Sequence, residues 1–251
     1  NTANATQATL WKSDGTAAGT DPIISSRYLD EIAFYNGQVY FYAGDDVTGA
    51  LFVTDGTPEG THSLHSFDFG PGELTVSGGL LFFEAEYEWG NTQIWATNGS
   101  GAYRIDSTFS YRPWDLTDVG GTLMYVALYA VESQAHCGLF SATGAGAWLV
   151  KEINQHLFYS YGNYRAVVDG TLFFTAENSW GGVGLWKSDG TSAGTVLVND
   201  VSPAPAGLTP YELTAVNGKL FFSAADVAHG HQLWKSDGTQ EGTIPVSCPM
   251  P

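Results

Sequence analysis

Basic residues are scarce in this chain: nine Lys and Arg stand against 26 Asp and Glu, for a formal net charge of −17. Such a surplus repels phosphate backbones and anionic membrane surfaces, so nucleic acid is not an expected partner. No apolar run comes near the ~18 residues of a membrane span, and the polar opening NTANATQAT lacks the charged and apolar regions of a signal peptide. No membrane insertion is expected, and the start reads as that of an exported, mature chain. Cysteine and methionine occur twice each. Helical periodicity is missing throughout, as are the G-x-S-x-G, H-E-x-x-H, P-loop and Rossmann patterns, which removes the chemistries those motifs carry.

What the chain has instead is glycine, 31 residues of it, aromatics at 14%, and a repeat. An apolar-aromatic pair followed by a polar turn begins at Leu10, Leu51, Ile94, Leu139, Leu185 and Leu233, at spacings of 41 to 48 residues. Strand-like content at that period is the signature of a β-propeller, each repeat being one small sheet set radially about an axis. The unit is clearest between Tyr211 and Ser247: ELTAVNG, KLFFSA, QLWKSDG and GTIPVS alternate apolar with polar residues as strands do. Asn217-Gly218 supplies the positive φ of a two-residue hairpin, with counterparts at Asn36-Gly37, Gly78-Gly79, Gly120-Gly121 and Asp169-Gly170.

The segment SDGTxxGT joins strands three and four. Its Asp can accept turn amides, its first Gly can enter left-handed space, and its Thr residues can satisfy backbone groups. The Asp recurs at Asp14, Asp55, Asp189 and Asp237, whereas Asn98 and Thr143 replace it elsewhere. A turn is needed once per repeat and a catalytic acid is not, so the Asp reads as structural. Trp11, Phe52, Trp95, Phe140, Trp186 and Trp234 likewise read as packing between sheets. These residues resemble the ELWxxDGT repeat family of secreted or surface bacterial proteins, over nearly the whole chain. That resemblance implies a repeat scaffold outside the cell and carries no activity with it.

The expectation is an all-β, single β-propeller domain over 1–251, with repeats at about 5–25, 27–68, 69–107, 108–153, 154–201 and 202–248. The last five are complete four-stranded blades and the first is a two-stranded N-terminal half blade, giving six blade positions. A five-blade ring with an appended hairpin, and completion by another chain, are the other outcomes. Cys137 and Cys248 fall in repeats that a radial fold separates, so two unbridged thiols are favoured over a disulfide. Asn4 and Asn98 stand in N-x-S/T sequons, glycan acceptors in a eukaryotic secretory pathway.

Blade geometry gathers the irregular loops on one face, where recognition commonly resides. The loops leading into strand one carry Arg27, Arg112 and Arg165, three of only four arginines. Tyr28, Trp114, Tyr164 and Tyr211 accompany them, and an acid opens strand one at Glu31, Glu73, Asp115 and Glu212. If strand one is innermost, these side chains ring the mouth of the channel. Aromatic plates with acids and arginines suit sugar recognition. Equally, the acids can pair with arginines or accept backbone amides at the rim, or hold Ca2+, an oxygen-seeking ion. No other cofactor is expected.

The preferred function is therefore a secreted or cell-surface, non-enzymatic, lectin-like propeller binding carbohydrate or another extracellular ligand. The alternatives are a glycan-active hydrolase or lyase built on the mouth carboxylates, and a homo-oligomeric scaffold assembling through the half blade.

Overall fold

The computed structural model describes residues 7–45, 48–68, 70–88, 91–105, 110–132, 134–153, 164–177, 183–199, 210–226 and 230–246. The described residues form one two-stranded and five four-stranded sheets. The two-stranded sheet pairs β1 (Ala8–Ser13) with β2 (Thr20–Ser26). The first four-stranded sheet runs β3 (Tyr28–Tyr35), β4 (Gln38–Gly44), β5 (Gly49–Thr54), β6 (His62–Phe67) in chain order. Next come β7 (Gly72–Ser77), β8 (Leu80–Glu88), β9 (Asn91–Thr97) and β10 (Ala102–Arg104), then β11 (Ser110–Val119), β12 (Thr122–Val131), β13 (Gln134–Thr143) and β14 (Gly146–Glu152). The last two sheets are β15 (Arg165–Val168), β16 (Thr171–Glu177), β17 (Val183–Ser188), β18 (Val196–Asn199), and β19 (Tyr211–Val216), β20 (Lys219–Asp226), β21 (Gly230–Ser236), β22 (Ile244–Pro245). Each is an antiparallel meander, as the two-residue turns at Asn36-Gly37 and Asn217-Gly218 demand, with both residues at positive φ.

The chain divides into two compact units, Asn1–Ala127 with Ala142–Ala147, and Leu128–Ser141 with Trp148–Pro251. In the first, the core is a layer between consecutive sheets: Tyr40, Leu51 and Val53 of one pack with Leu81, Phe83 and Trp95 of the next, and Leu74 lies against them. In the second, Phe173 and Leu185 pack in the same way with Leu213, Leu220, Phe222 and Trp234. Within a sheet, the strand-two Phe stands directly opposite the strand-three aromatic: Phe41 to Phe52, Phe83 to Trp95, Phe174 to Trp186 and Phe222 to Trp234. Rings stack at centroid separations of 5.6 Å for Phe41–Phe52 and 6.3 Å for Phe222–Trp234. Side chains opposite each other on one face of a sheet are its natural pairs, and aromatic pairs are among the strongest.

The strand-three to strand-four turn is stereotyped. Asp237 Oδ1 accepts from the Thr239 amide (2.9 Å) and hydroxyl (2.7 Å), while Thr239 Oγ1 accepts from the Gly242 amide (2.9 Å). Thr243 donates to the Thr239 carbonyl (2.6 Å) and meets the Ser236 hydroxyl (2.8 Å). The same bonds recur around Asp14, Asp55 and Asp189. A Cβ on Gly242 would overlap the Asp237 carboxylate, which is why the motif closes on a second glycine. The two residues between Thr and that glycine, as in Gln240-Glu241 and Ala17-Ala18, are exposed. Where Asn98 replaces the Asp, only the Ser100 amide bond (3.1 Å) remains of this set, and at Thr143 the chain makes a short turn through Gly144 and Ala145.

The threonine hydroxyl first, and then its amide, hold the carboxyls of Asp14, Asp55, Asp189 and Asp237 below the ordinary carboxylate value of 3.8. A carboxyl whose pKa is lower folded than unfolded stabilises the fold above its unfolded pKa, and that contribution is lost as pH falls through the folded value. Stability is expected to drop on acidification below about pH 4, less steeply after Asp189→Asn and Asp237→Asn together. Unfolding followed by circular dichroism between about pH 5 and 2 checks this; an unchanged slope in the double variant would count against the turns as the acid-sensitive element.

Candidate functional site

The acids that open strand one stand in left-handed backbone: φ is 53° at Glu31, 52° at Glu73, 62° at Asp115 and 56° at Glu212. Such a conformation is uncommon for a residue with a Cβ. Around Glu31, Glu73 and Glu212 the register is broken, between Asp30 and Ala33, Gly72 and Thr75, and Tyr211 and Thr214, so these acids sit at a bulge that re-aims the side chain. The threonine two residues on donates to the acid's own carbonyl, at 3.1 Å for Thr75 to Glu73 and 3.0 Å for Thr117 to Asp115. Thr214 does the same to Glu212 at 3.2 Å.

The carboxylates aimed in this way reach the following sheet. Glu31 Oε2 accepts the Leu74 amide at 3.4 Å, and Glu73 Oε2 accepts the Leu116 amide at 2.7 Å. Thr75 donates across the same gap to the Leu116 carbonyl at 3.4 Å, and Tyr35 donates to the Gly79 carbonyl at 2.7 Å. Of the readings open to these acids, acceptance of backbone amides is what Glu31 and Glu73 do. In the second unit lysines bridge to the next sheet at a different place, its strand-three to strand-four turn: Lys187 Nζ donates to the Gly238 carbonyl at 2.7 Å and Lys151 Nζ to that of Thr195 at 2.6 Å.

The other expected site residues are spread over exposed and half-buried positions. Arg27 is exposed and lies 5.7 Å from the Tyr28 ring centroid. It helps line a groove of about 480 Å³ with Ser25, Ser26, Asp45, Ser63 and Ser66. Trp114 and Asp115 are half-buried on β11, where the side chain of Arg112 is outside those described. Tyr164 and Arg165 are half-buried at the start of β15, as is Tyr211 on β19, whereas Glu212 is exposed. Asn98 is exposed in its turn; Asn4 and Cys248 lie outside the described residues. Cys137 is free and buried, and burial pushes its thiol up to about 12, which leaves it protonated and unreactive. Beside it, Glu152 accepts from or pairs with His136 at 2.7 Å on adjacent strands. Among the described residues no group of three or more His, Cys, Asp or Glu could hold a metal ion, and no helix is long and apolar enough to cross a membrane.

Trp95, Phe140 and Trp234 are buried as packing residues should be, yet Trp11, which its motif marks for the same role, is 55% exposed. Ile32 and Phe34 of β3, the element next to β1, are 65% and 70% exposed. The position equivalent to Ile32 is 4% exposed at Leu116 and 3% at Leu213.

No family model matches the chain, and no curated protein matches it. Solved structures do. The β-propeller domain of the Trilobed protease from Pyrococcus furiosus aligns with a TM-score of 0.53 at 11% identity, over 97% of this chain and 77% of that one. A puromycin-hydrolyzing peptidase of Mycobacterium tuberculosis gives 0.52 at 12% identity, over 86% and 37%. A puromycin hydrolase gives 0.51 at 13%, over 97% and 42%. The chain thus spans less than half the length of the two hydrolases. The likeness shows the β-propeller fold.

The expected lectin-like carbohydrate binder is corrected by these findings. The matched structures are a protease's propeller domain, a peptidase and a puromycin hydrolase, not lectins. Physically, Glu31 and Glu73, which were to grip a sugar, already hold backbone amides of the next sheet.

Replacing Glu73 by Ala leaves the amide of buried Leu116 without its acceptor, at a cost of about 1–3 kcal/mol. Glu73→Gln keeps an acceptor oxygen and the same left-handed backbone, and is expected to lose clearly less. Urea unfolding of both variants measures the difference; equal loss would mean that the hydrogen bond does not carry the effect.

Proposed function

We propose that this chain is a non-catalytic β-propeller module of the ELWxxDGT type, working outside the cell by binding polypeptide. In this reading the β1–β2 pair is the outer half of one blade in a ring of six positions. The observation that carries it is the exposure of Trp11, Ile32 and Phe34, the three most exposed large apolar side chains among the described residues, on the neighbouring elements β1 and β3. Apolar side chains left in water on adjacent elements mark surfaces for other proteins. A strand with a free edge binds extended peptide by adding it to the sheet. The motif residues themselves support a scaffold role, because the repeated Asp, Thr and Glu side chains are engaged with backbone groups.

Selection of peptides from a random displayed library on the 251-residue protein tests the reading. Enriched peptides are expected to slow amide exchange in β1 or β3 and to remain uncleaved. A library that yields no binder protecting either strand, or a binder that is hydrolysed, would overturn it.

A further inference from the structure

One packing problem is solved with phenol rings in the first unit and without them in the second. At the end of β3, Tyr35 donates its hydroxyl to the Gly79 carbonyl of the following sheet at 2.7 Å. Its ring is tilted by 54° against that of Tyr40, at a centroid separation of 5.7 Å. The last two sheets repeat this setting with smaller side chains. Counted from the two-residue turns, Val168 before Asp169-Gly170 stands where Tyr35 stands before Asn36-Gly37. Phe173 likewise takes the place of Tyr40, and Gly218 that of Gly79. The rings of Tyr40 and Phe173 meet corresponding glycines of the next sheet: a Cβ on Gly99 would lie 3.0 Å from the Tyr40 hydroxyl, and one on Gly238 would lie 3.1 Å from Phe173 Cζ. Where Tyr35 has a ring and Val168 has none, the second unit has a cavity of about 150 Å³.

The size and walls of this cavity select its guest. A cavity of about 150 Å³ accepts one benzene-sized ring, whereas drug-sized ligands occupy about 300 Å³ or more. Val168 and Phe173, both buried, give it an apolar floor, and Asp169, Gly218 and Asp237 line it where the chain is exposed. A Cβ on Gly218 would stand 2.9 Å from Asp169 Oδ2, so a carboxylate and the Gly218 backbone lie side by side as hydrogen-bond acceptors. Lys187, whose Nζ is held 2.7 Å from the Gly238 carbonyl, adds a cation to the wall, and a cation favours an electron-rich ring. Two acids against this one base disfavour an anionic guest. We propose that the cavity is a binding site for a phenol ring, seated against Val168 and Phe173 with its hydroxyl donating to the Gly218 carbonyl as Tyr35 donates to Gly79. The ring comes from a free phenol or from a tyrosine side chain on another polypeptide, and the recognition chemistry is the same. Every residue of the site belongs to the second unit, so the inference stands apart from the polypeptide-binding reading at β1 and β3.

Titration of the whole protein with para-fluorophenol, followed by fluorine and amide NMR, tests the site. Saturable one-to-one binding is expected, with a dissociation constant on the order of 1 mM or below and the largest amide shifts at Gly218 and Gly238. Fluorobenzene is expected to bind about five- to tenfold more weakly, the effect of losing one hydrogen bond. Val168→Tyr gives the second unit the side chain that the first has at Tyr35. It is expected to abolish binding and to raise the midpoint of thermal unfolding, so lost binding is told apart from lost folding. The fluorobenzene comparison uses the unaltered protein and does not depend on that variant. Shifts that do not saturate, shifts confined to other sheets, equal affinity for fluorobenzene, or undiminished binding by a folded Val168→Tyr protein would overturn the proposal. N-acetyltyrosinamide separates the two sources: competition with para-fluorophenol assigns the site to tyrosine side chains, and failure to compete assigns it to free phenols. If para-fluorophenol does not bind while library peptides protect β1 or β3, this inference alone falls.

Discussion

A carboxylate held in left-handed backbone and accepting a neighbouring sheet's amide is the constraint on which the first unit depends. The Glu31–Leu74 and Glu73–Leu116 bonds join strand-one segments about 43 residues apart in sequence, one repeat to the next. A positive φ at a residue with a Cβ costs energy, of order 1–3 kcal/mol at strained positions, and it persists where the surroundings repay it. Here the return is twofold. The bulge aims the carboxylate, and the bond satisfies an amide at the edge of a strand that has no partner on that side. The apolar layer then closes over the joint, with Leu74 against Tyr40 and Phe83.

This division of labour explains why so much of the repeat has the look of a functional site. Acids, threonines and aromatics recur because most of the sheets use the same turn, the same bulge and the same ring pair. A catalytic centre requires a few groups assembled once. In the described residues the Asp and Thr side chains of the turns, with Glu31 and Glu73, are engaged with backbone groups, whereas Trp11 and Ile32 depart from the repetition by being exposed.

The order of strands, the hairpin turns and the Asp-Thr turn were legible in the sequence because each rests on contacts within a few residues. The Asp237 bonds all lie within a seven-residue loop, and the alternation of LWKS writes its own register. The role of the acids was less legible. A glutamate that opens a strand gives no local sign of whether it faces a ligand or an amide 43 positions away, and its left-handed backbone is not written in the residue type. Trp11 misled for a related reason: its own motif is intact, and its exposure depends on what stands beside it. Of the arginines grouped on the loops into strand one, Arg27 helps line a groove with several serines.

The strand-three to strand-four turn also leaves a gap in its own grammar. Between the threonine that closes the Asp bonds and the glycine that makes room for the carboxylate stand two residues whose side chains face water: Ala17-Ala18, Pro58-Glu59, Ser192-Ala193 and Gln240-Glu241. Their backbones are held and their identities are not, so charge, bulk or a grafted label can be exchanged at these four addresses while the hydrogen-bonded frame around them stays intact. The same geometry that makes the motif recognisable therefore gives the molecule four like sites at which its surface can diversify without disturbing its core.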